Sequence, residues 1–136
     1  MKPYQAKTSK LAGTSYIEIE RKARYLHNKA AARTKRSPYV RSTYFNKDKI
    51  FITIFWEHLN QHPRRDRKRR LRYYACALEL LRNAKVEPVT KENPNKYGEL
   101  FHRFAGLSSE GELFYVQVKE VRRTDRKYFM SVFPPN

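Results

Sequence analysis

The sequence predicts one α+β domain, with helices first and a small antiparallel β-sheet of three strands or more last. Leu100 to Phe133 indicates the sheet, because three runs rich in aromatic and β-branched residues are separated by two polar turns. Apolar residues at helical spacing before Pro88 indicate the helices. A chain of 136 residues has the length of one ordinary domain.

The first 47 residues are interpreted as a basic extension that is partly helical or disordered. Residues 1–13 have the composition of a mobile tail. Ser15 and Glu18 have the spacing of a capping box, which predicts a helix that reaches about Ala32.

Residues 34–46 contain Pro38 and no helical period, which is typical of a linker. Tyr39 and Tyr44 lie near Arg36 and Arg41 in this segment, and such a mixture can stack on bases and hold phosphates. A solvated linker whose tyrosines lie against the domain explains the same residues equally well.

The segment from residue 48 to residue 62 is predicted to be a helix. Asp48 is placed as its cap and Pro63 as its stop, and the apolar residues between them follow a helical period. The helix would place His58 and His62 four residues apart on a shared face. Its first half, Ile50 to Phe55, also suits a strand.

Residues 64–72 form the densest run of basic side chains and lead into an apolar helical stripe that reaches about Ala84. The run is therefore predicted to be the exposed start of one helix. Cations at a helix N-terminus oppose the macrodipole, which favours a ligand-binding role over a merely solvated face.

The net charge of +17 is unevenly distributed along the chain. Residues 1–50 carry +10, residues 51–72 carry +5 and residues 73–136 carry only +2. This asymmetry predicts a polyanion-binding surface joined to a folded core, with RNA as the preferred partner and DNA as the alternative. An acidic protein partner or inhibitor is a third candidate, and a membrane surface is disfavoured because no basic amphipathic face is continuous. The predicted nucleic-acid-binding residues are Arg36, Arg41, Arg64, Arg65, Arg67, Lys68, Arg69, Arg70 and Arg72.

Nucleotide-binding, hydrolase-elbow and paired-cysteine motifs are absent from the sequence. His58 and His62 have the spacing of metal ligands, with His102 as a conceivable third, but Leu59 stands where a zinc protease has its glutamate. We therefore predict no metal and no cofactor. The single cysteine, Cys76, and the lack of a long apolar run predict a cytoplasmic protein without a membrane span.

Metal-independent RNA cleavage remains, because RNA carries its own nucleophile in the 2′-OH. Alternation along the three predicted strands would collect basic and polar side chains on one face of the sheet, and the preceding helix would bring a histidine over it. The predicted catalytic residues are His58, Arg103, Lys119, Lys127 and Ser131. An amphipathic sheet with a merely wet outer face is the alternative reading of the same pattern.

Residues 56–59 (WEHL), 101–104 (FHRF), 116–119 (VQVK) and 127–133 (KYFMSVF) occur in an order that resembles the barnase/EndoU/colicin/RelE-like ribonuclease superfamily, especially its phage- and mobile-element-associated branches. The resemblance covers about residues 48–133. It implies a RelE/barnase-like domain over residues 48–136, with a curved antiparallel sheet.

By this resemblance, His58 would act as general base or acid and Arg103 and Lys119 would stabilise the phosphate. Ser131 would position it. The resemblance implies a toxin-like or mobile-element endoribonuclease. A non-catalytic RNA- or DNA-binding module, for instance within a ribonucleoprotein, is the alternative, because superfamily membership alone does not imply activity.

Overall fold

The computed structural model describes residues 2–136. The described residues form helices α1 (Tyr16–Ala31), α2 (Ile54–Leu59), α3 (Arg64–Leu71) and α4 (Tyr74–Asn83). They also form strands β1 (Tyr4–Gln5), β2 (Tyr39–Arg41), β3 (Lys49–Phe51), β4 (Val89–Glu92), β5 (Glu99–Leu107), β6 (Leu113–Val121) and β7 (Arg126–Phe133).

The strands form one mixed sheet in the order β1-β5-β6-β7-β3-β2, and β4 also pairs with β5. The antiparallel meander β5-β6-β7 lies at its centre, as the C-terminal pattern predicts. The predicted fold, helices followed by a small antiparallel sheet, is nevertheless wrong. Strands β1 to β3 precede or interrupt the helices, and β1 and β3 pair with the meander in parallel. The fold class is still α+β.

Helix α1 begins where the capping motif predicts. Ser15 is its N-cap, and its hydroxyl accepts a hydrogen bond of 3.2 Å from the backbone N–H of Glu18. The Glu18 carboxylate accepts from the backbone N–H of Thr14, one residue before the N-cap, rather than from Ser15. This differs by one residue from a standard capping box, but it still satisfies both ends of the motif.

The prediction of a mobile tail at residues 1–13 is wrong for the part that the structure describes. Tyr4 pairs with Gly106 in the sheet, and Ala6 is buried. The Glu79 carboxylate accepts hydrogen bonds from the Tyr4 hydroxyl and from the backbone N–H groups of Lys7 and Thr8. A single carboxylate on α4 therefore holds the N-terminal strand.

The prediction of one helix over residues 48–62 is also wrong. The strand alternative holds for Lys49–Phe51, and α2 begins only after Thr53. Asp48 caps nothing and lies instead 2.9 Å from the ammonium group of Lys127. The next predicted helix is broken at residues 72–73, which lets the rings of Tyr73 and Tyr74 pack on different partners, Phe114 and Phe55.

The helices pack on one face of the sheet and form the core there. Phe55 of α2 stacks on Phe129 of β7, with ring centroids 4.6 Å apart. Gly106 leaves the space that a side chain would fill, because a Cβ there would lie 2.5 Å from the Phe114 ring and 2.9 Å from Leu80. Residues 1–47 contribute to this same core through Ile19, Ala23, Ala30 and Val40.

Candidate functional site

The face of the sheet that points away from the helices is the candidate functional surface, and we call it the outer face. The register across β5, β6 and β7 aligns its side chains in rows, such as Arg103, Gln117 and Ser131. Its members on these strands are half-buried or exposed: Phe101, Arg103, Tyr115, Gln117, Lys119, Tyr128, Ser131 and Phe133. The interleaving of aromatic and basic groups is typical of sheets that bind nucleic acid.

A cleft of about 500 Å³ opens where β7 passes α2 and α3, and we call it the His58 cleft. It brings His58 of α2 together with Ser131 of β7, as the sequence predicts. It also contains groups that the sequence did not assign to the catalytic set. The polar residues that line it are His58, His62, Arg69, Arg70, Gln117, Ser131 and Asn136.

His62 is held in this cleft by a carboxylate. Its Nδ1 lies 3.2 Å from Oδ2 of Asp66. Arg70 donates a hydrogen bond to the same oxygen, and Arg69 donates to Oδ1. The negative charge of Asp66 therefore lies beside Nδ1, where it stabilises the protonated form of the ring. Burial, then Arg70, then His58 lower the pKa of His62, and only the Asp66 charge raises it. The neutral form is therefore favoured near pH 7.

Arg103 of β5 lies on the outer face beside the His58 cleft. Its guanidinium lies 5.5 Å from the centroid of the Phe133 ring, and the guanidinium of Arg70 lies at the same distance from that ring. Arg103 also lines a neighbouring hollow that shares Phe101 and Gln117 with the cleft. Two guanidinium groups from different elements thus flank one aromatic ring at the edge of the cleft.

Lys127 does not lie on this face, and the prediction that it shares a face with Ser131 is wrong. A β-bulge places Ser131 opposite Gln117 but Phe129 opposite Val118, so Met130 is an extra residue in β7. One extra residue reverses the alternation of side chains. Lys127 is only 3% exposed on the helix side of the sheet.

Lys119 lies on the outer face as predicted, but one row away from the cleft. Its ammonium group lies 5.4 Å from the centroid of the Tyr128 ring and 3.8 Å from the carboxylate of Glu99. Lys119 is therefore separated from Ser131 of the cleft by one row of the sheet.

The basic run at residues 64–72 divides between two roles. Arg69 and Arg70 face the His58 cleft, and Arg65 is exposed. The other cations contact the N-terminal segment instead. The guanidinium groups of Arg64 and Arg67 lie over Tyr16, Lys68 donates to the backbone carbonyl of Thr14, and Arg72 donates to those of Leu11 and Gly13. Much of this charge therefore contacts the protein itself.

Arg36 and Arg41 lie at the other end of the outer face, beside β2. The guanidinium of Arg41 lies 5.4 Å from the centroid of the Tyr39 ring and donates to the carbonyl of Lys47. Tyr44, the other tyrosine predicted to stack on bases, packs instead against Phe104 on the helix side, with ring centroids 5.4 Å apart. Tyr44 therefore lies against the domain, as the linker interpretation predicts. Tyr39 does not lie in a linker, because it belongs to β2.

His102 is buried away from the two histidines of the cleft, with its ring nitrogens 2.8 Å from the Thr90 hydroxyl and 2.7 Å from the Glu120 carboxylate. Among residues 2–136, no three histidine, cysteine or acidic side chains are grouped so that they could hold a metal ion. None of the helices in the described part of the chain is long and apolar enough to cross a membrane.

Comparison with family models, with curated proteins and with solved structures finds no match to this chain. The resemblance to the barnase/EndoU/colicin/RelE-like superfamily therefore stays a prediction, and the function is inferred from the geometry of the outer face.

Proposed function

We propose that this protein binds RNA on the outer face and cleaves it in the His58 cleft by metal-independent transesterification. The observation that carries the proposal is the meeting of two histidines, a serine and guanidinium groups in one cleft at the edge of an aromatic and basic surface. These are the groups that the reaction needs: a base, an acid and cations.

His62 takes the role of general base. Its Nε2 accepts the proton of the 2′-OH as the oxygen attacks the adjacent phosphorus, and Asp66 stabilises the imidazolium that forms. His58 donates a proton to the departing 5′-oxygen. The P–O2′ bond forms as the P–O5′ bond breaks, which leaves a 2′,3′-cyclic phosphate on one product and a 5′-OH on the other.

Arg103 and Arg70 supply positive charge where negative charge develops on the phosphorane. Guanidinium groups suit this task because they present several donors in a fixed plane. The Ser131 hydroxyl lines the same cleft as Arg70 and the histidines and positions a non-bridging oxygen. Lys119, one row away, contacts a neighbouring phosphate.

The test is cleavage of a labelled single-stranded RNA by purified protein in EDTA. We expect His58→Ala to lower the rate about 10²–10⁴-fold, the range for a lost general acid. We expect Arg103→Ala to lower it about 10²–10³-fold, the range for a lost donor to the transition state. Lys7→Gln, a change at an exposed position just after the edge strand β1, is the matched control and keeps the full rate. RNA that stays intact, or cleavage that both alanine variants retain, would contradict the mechanism.

A non-catalytic RNA- or DNA-binding module is the second candidate. The aromatic and basic residues of the outer face favour it independently, since they suffice for binding without any chemistry. In that case the wild-type protein binds RNA in a salt-sensitive way and leaves it intact, and His58→Ala changes neither property.

A further inference from the structure

A second group of aromatic rings crosses the outer face from β7 to the sheet edge at β2. The register aligns Tyr128 of β7 with Phe51 of β3, and Phe51 with Tyr39 of β2. Neighbouring ring centroids are 5.8 Å and 6.2 Å apart. All three rings are half-exposed on a face that the helices do not cover. We call them the aromatic row.

Each ring of the row has a cation close to it. The ammonium group of Lys49 lies 4.7 Å from the centroid of Tyr39, and the guanidinium of Arg126 lies 5.9 Å from that of Phe51. Alternating rings and cations match a nucleic-acid strand, in which bases and phosphates also alternate.

The row leads into a cationic hollow of about 530 Å³ at the end of α1. No acidic side chain lines it, and its residues are Arg33, Lys35, Arg36, Ser37, Tyr39, Lys49, Phe51 and Arg126. Within residues 2–136, none of its five cations has a carboxylate within 4.0 Å. Like charges held together without partners repel one another, which a polyanion relieves. We call this hollow the Arg36 patch.

We propose that the aromatic row and the Arg36 patch bind a single-stranded segment of RNA that continues into the His58 cleft. The inference rests on the proposed function and adds its substrate class. Single strands are required because a ring can stack only on a base that is free of its duplex neighbours. The row offers one ring to each of about three bases. Tyr128 is three residues from Ser131 along β7, about 10 Å, so the row and the cleft can share one strand.

The experiment measures binding alone, by fluorescence anisotropy of a labelled 2′-O-methyl oligouridine of twelve nucleotides, which lacks the reactive 2′-OH. One variant combines Tyr39→Ala and Tyr128→Ala. A second combines Lys35→Gln and Arg36→Gln, and its control, Lys7→Gln with Lys85→Gln, removes the same charge from exposed positions that do not line the patch. Circular dichroism and thermal melting establish that each variant is folded.

We expect the loss of two stacking rings to weaken binding at least about 30-fold, since each stacked base contributes ~1–3 kcal/mol. We expect the Lys35/Arg36 variant to reduce the slope of log K against log salt by about 1.4, since each single-strand phosphate contact contributes ~0.7. The Lys7/Lys85 control keeps both the affinity and the slope. A duplex of the same length binds more weakly, because its bases are not free to stack on the rings.

Equal affinity for the duplex, or variants that bind like the wild type, would overturn the single-strand inference. Binding to neither RNA form would also overturn it and would favour an acidic protein partner. Its failure is distinct from failure of the proposed function. If cleavage depends on His58 but the variants bind RNA like the wild type, only binding by the aromatic row is refuted. If binding depends on Tyr39 and Tyr128 but no RNA is cleaved, only the cleavage mechanism is refuted.

Discussion

Replacing Lys127 with methionine distinguishes a structural role for this lysine from a catalytic one. Its ammonium group lies 2.9 Å from the carboxylate of Asp48, 3.2 Å from that of Asp125 and 4.0 Å from that of Glu120. Burial lowers the pKa of Lys127, but hydrogen bonds to Asp48 and Asp125 outweigh burial, so the net shift is upward. The folded protein therefore holds this lysine charged.

The substitution leaves three carboxylates without their shared cation. Removing one partner of a fully buried ion pair costs ~3–5 kcal/mol. The Asp48 side chain is half-exposed and that of Asp125 is largely exposed, so both regain water when the lysine is removed, which reduces the cost. We therefore expect the free energy of unfolding to fall by about 2 kcal/mol. For a chain of this length, that corresponds to a Tm lower by ~6 °C, at about 3 °C per kcal/mol.

Urea denaturation at pH 7, followed by fluorescence of the single tryptophan, Trp56, measures this change. Part of this difference should disappear in acid. The hydrogen bond to Lys127 lowers the pKa of Asp125, so the contribution of that carboxylate is lost as the pH falls through its lowered value. Lys119→Met is the control. Its ammonium group makes only one long ion pair, so we expect a change below about 1 kcal/mol. A Lys127→Met protein that is as stable as wild type but has lost RNA cleavage would refute the structural role.

Glu79→Gln should lower stability by about 1–3 kcal/mol, because the carboxylate accepts hydrogen bonds from Tyr4, Lys7 and Thr8 of the N-terminal segment. Burial raises the pKa of Glu79, but those hydrogen bonds lower it by more, so the net shift is downward. The contribution of Glu79 to stability is therefore complete above the unfolded pKa and disappears as the pH falls through the lower folded value. Urea denaturation at pH 7 and pH 3 measures this loss. Gly106→Ala should lower stability by ~1–3 kcal/mol, measured by thermal melting, because the new methyl group overlaps the Phe114 ring. Asp66→Asn should move the acidic limb of the pH–rate profile of RNA cleavage to lower pH, because the Asp66 charge is what raises the pKa of His62. An acidic limb at the same pH in Asp66→Asn would exclude His62 as the base. Unchanged stability in Glu79→Gln or Gly106→Ala would contradict the contacts described for those residues.

The parts of the fold that the sequence predicts are those with long, regular patterns. Strands β5 to β7 have eight or nine residues each, so their alternation is visible, and α1 has both a cap and sixteen residues. Strands β1 to β4 have two to four residues, too few for a period to appear. Their pairing depends on tertiary contacts, such as those of Glu79 with the N-terminal segment.

The candidate site follows the same division. Alternation places Arg103 and Lys119 on the outer face, and the β5–β6 register confirms both positions. The same alternation predicts the wrong face for Lys127. The bulge at Met130 adds one residue to β7, and nothing in the local sequence indicates it. For His62, the sequence indicates only the spacing of metal ligands with His58. Its proximity to Asp66, four residues later across the start of α3, was the available signal for an oriented base.

The central claim, RNA cleavage by attack of the 2′-OH, is tested most directly with an oligonucleotide whose scissile nucleotide is changed to its 2′-deoxy form. We predict that the protein binds this substrate with unchanged affinity and leaves it intact in EDTA. The all-ribose control should yield a 2′,3′-cyclic phosphate and a 5′-OH, identified by mass spectrometry. Cleavage of the deoxy substrate at the same site, or a 5′-phosphate on the product, would contradict the account.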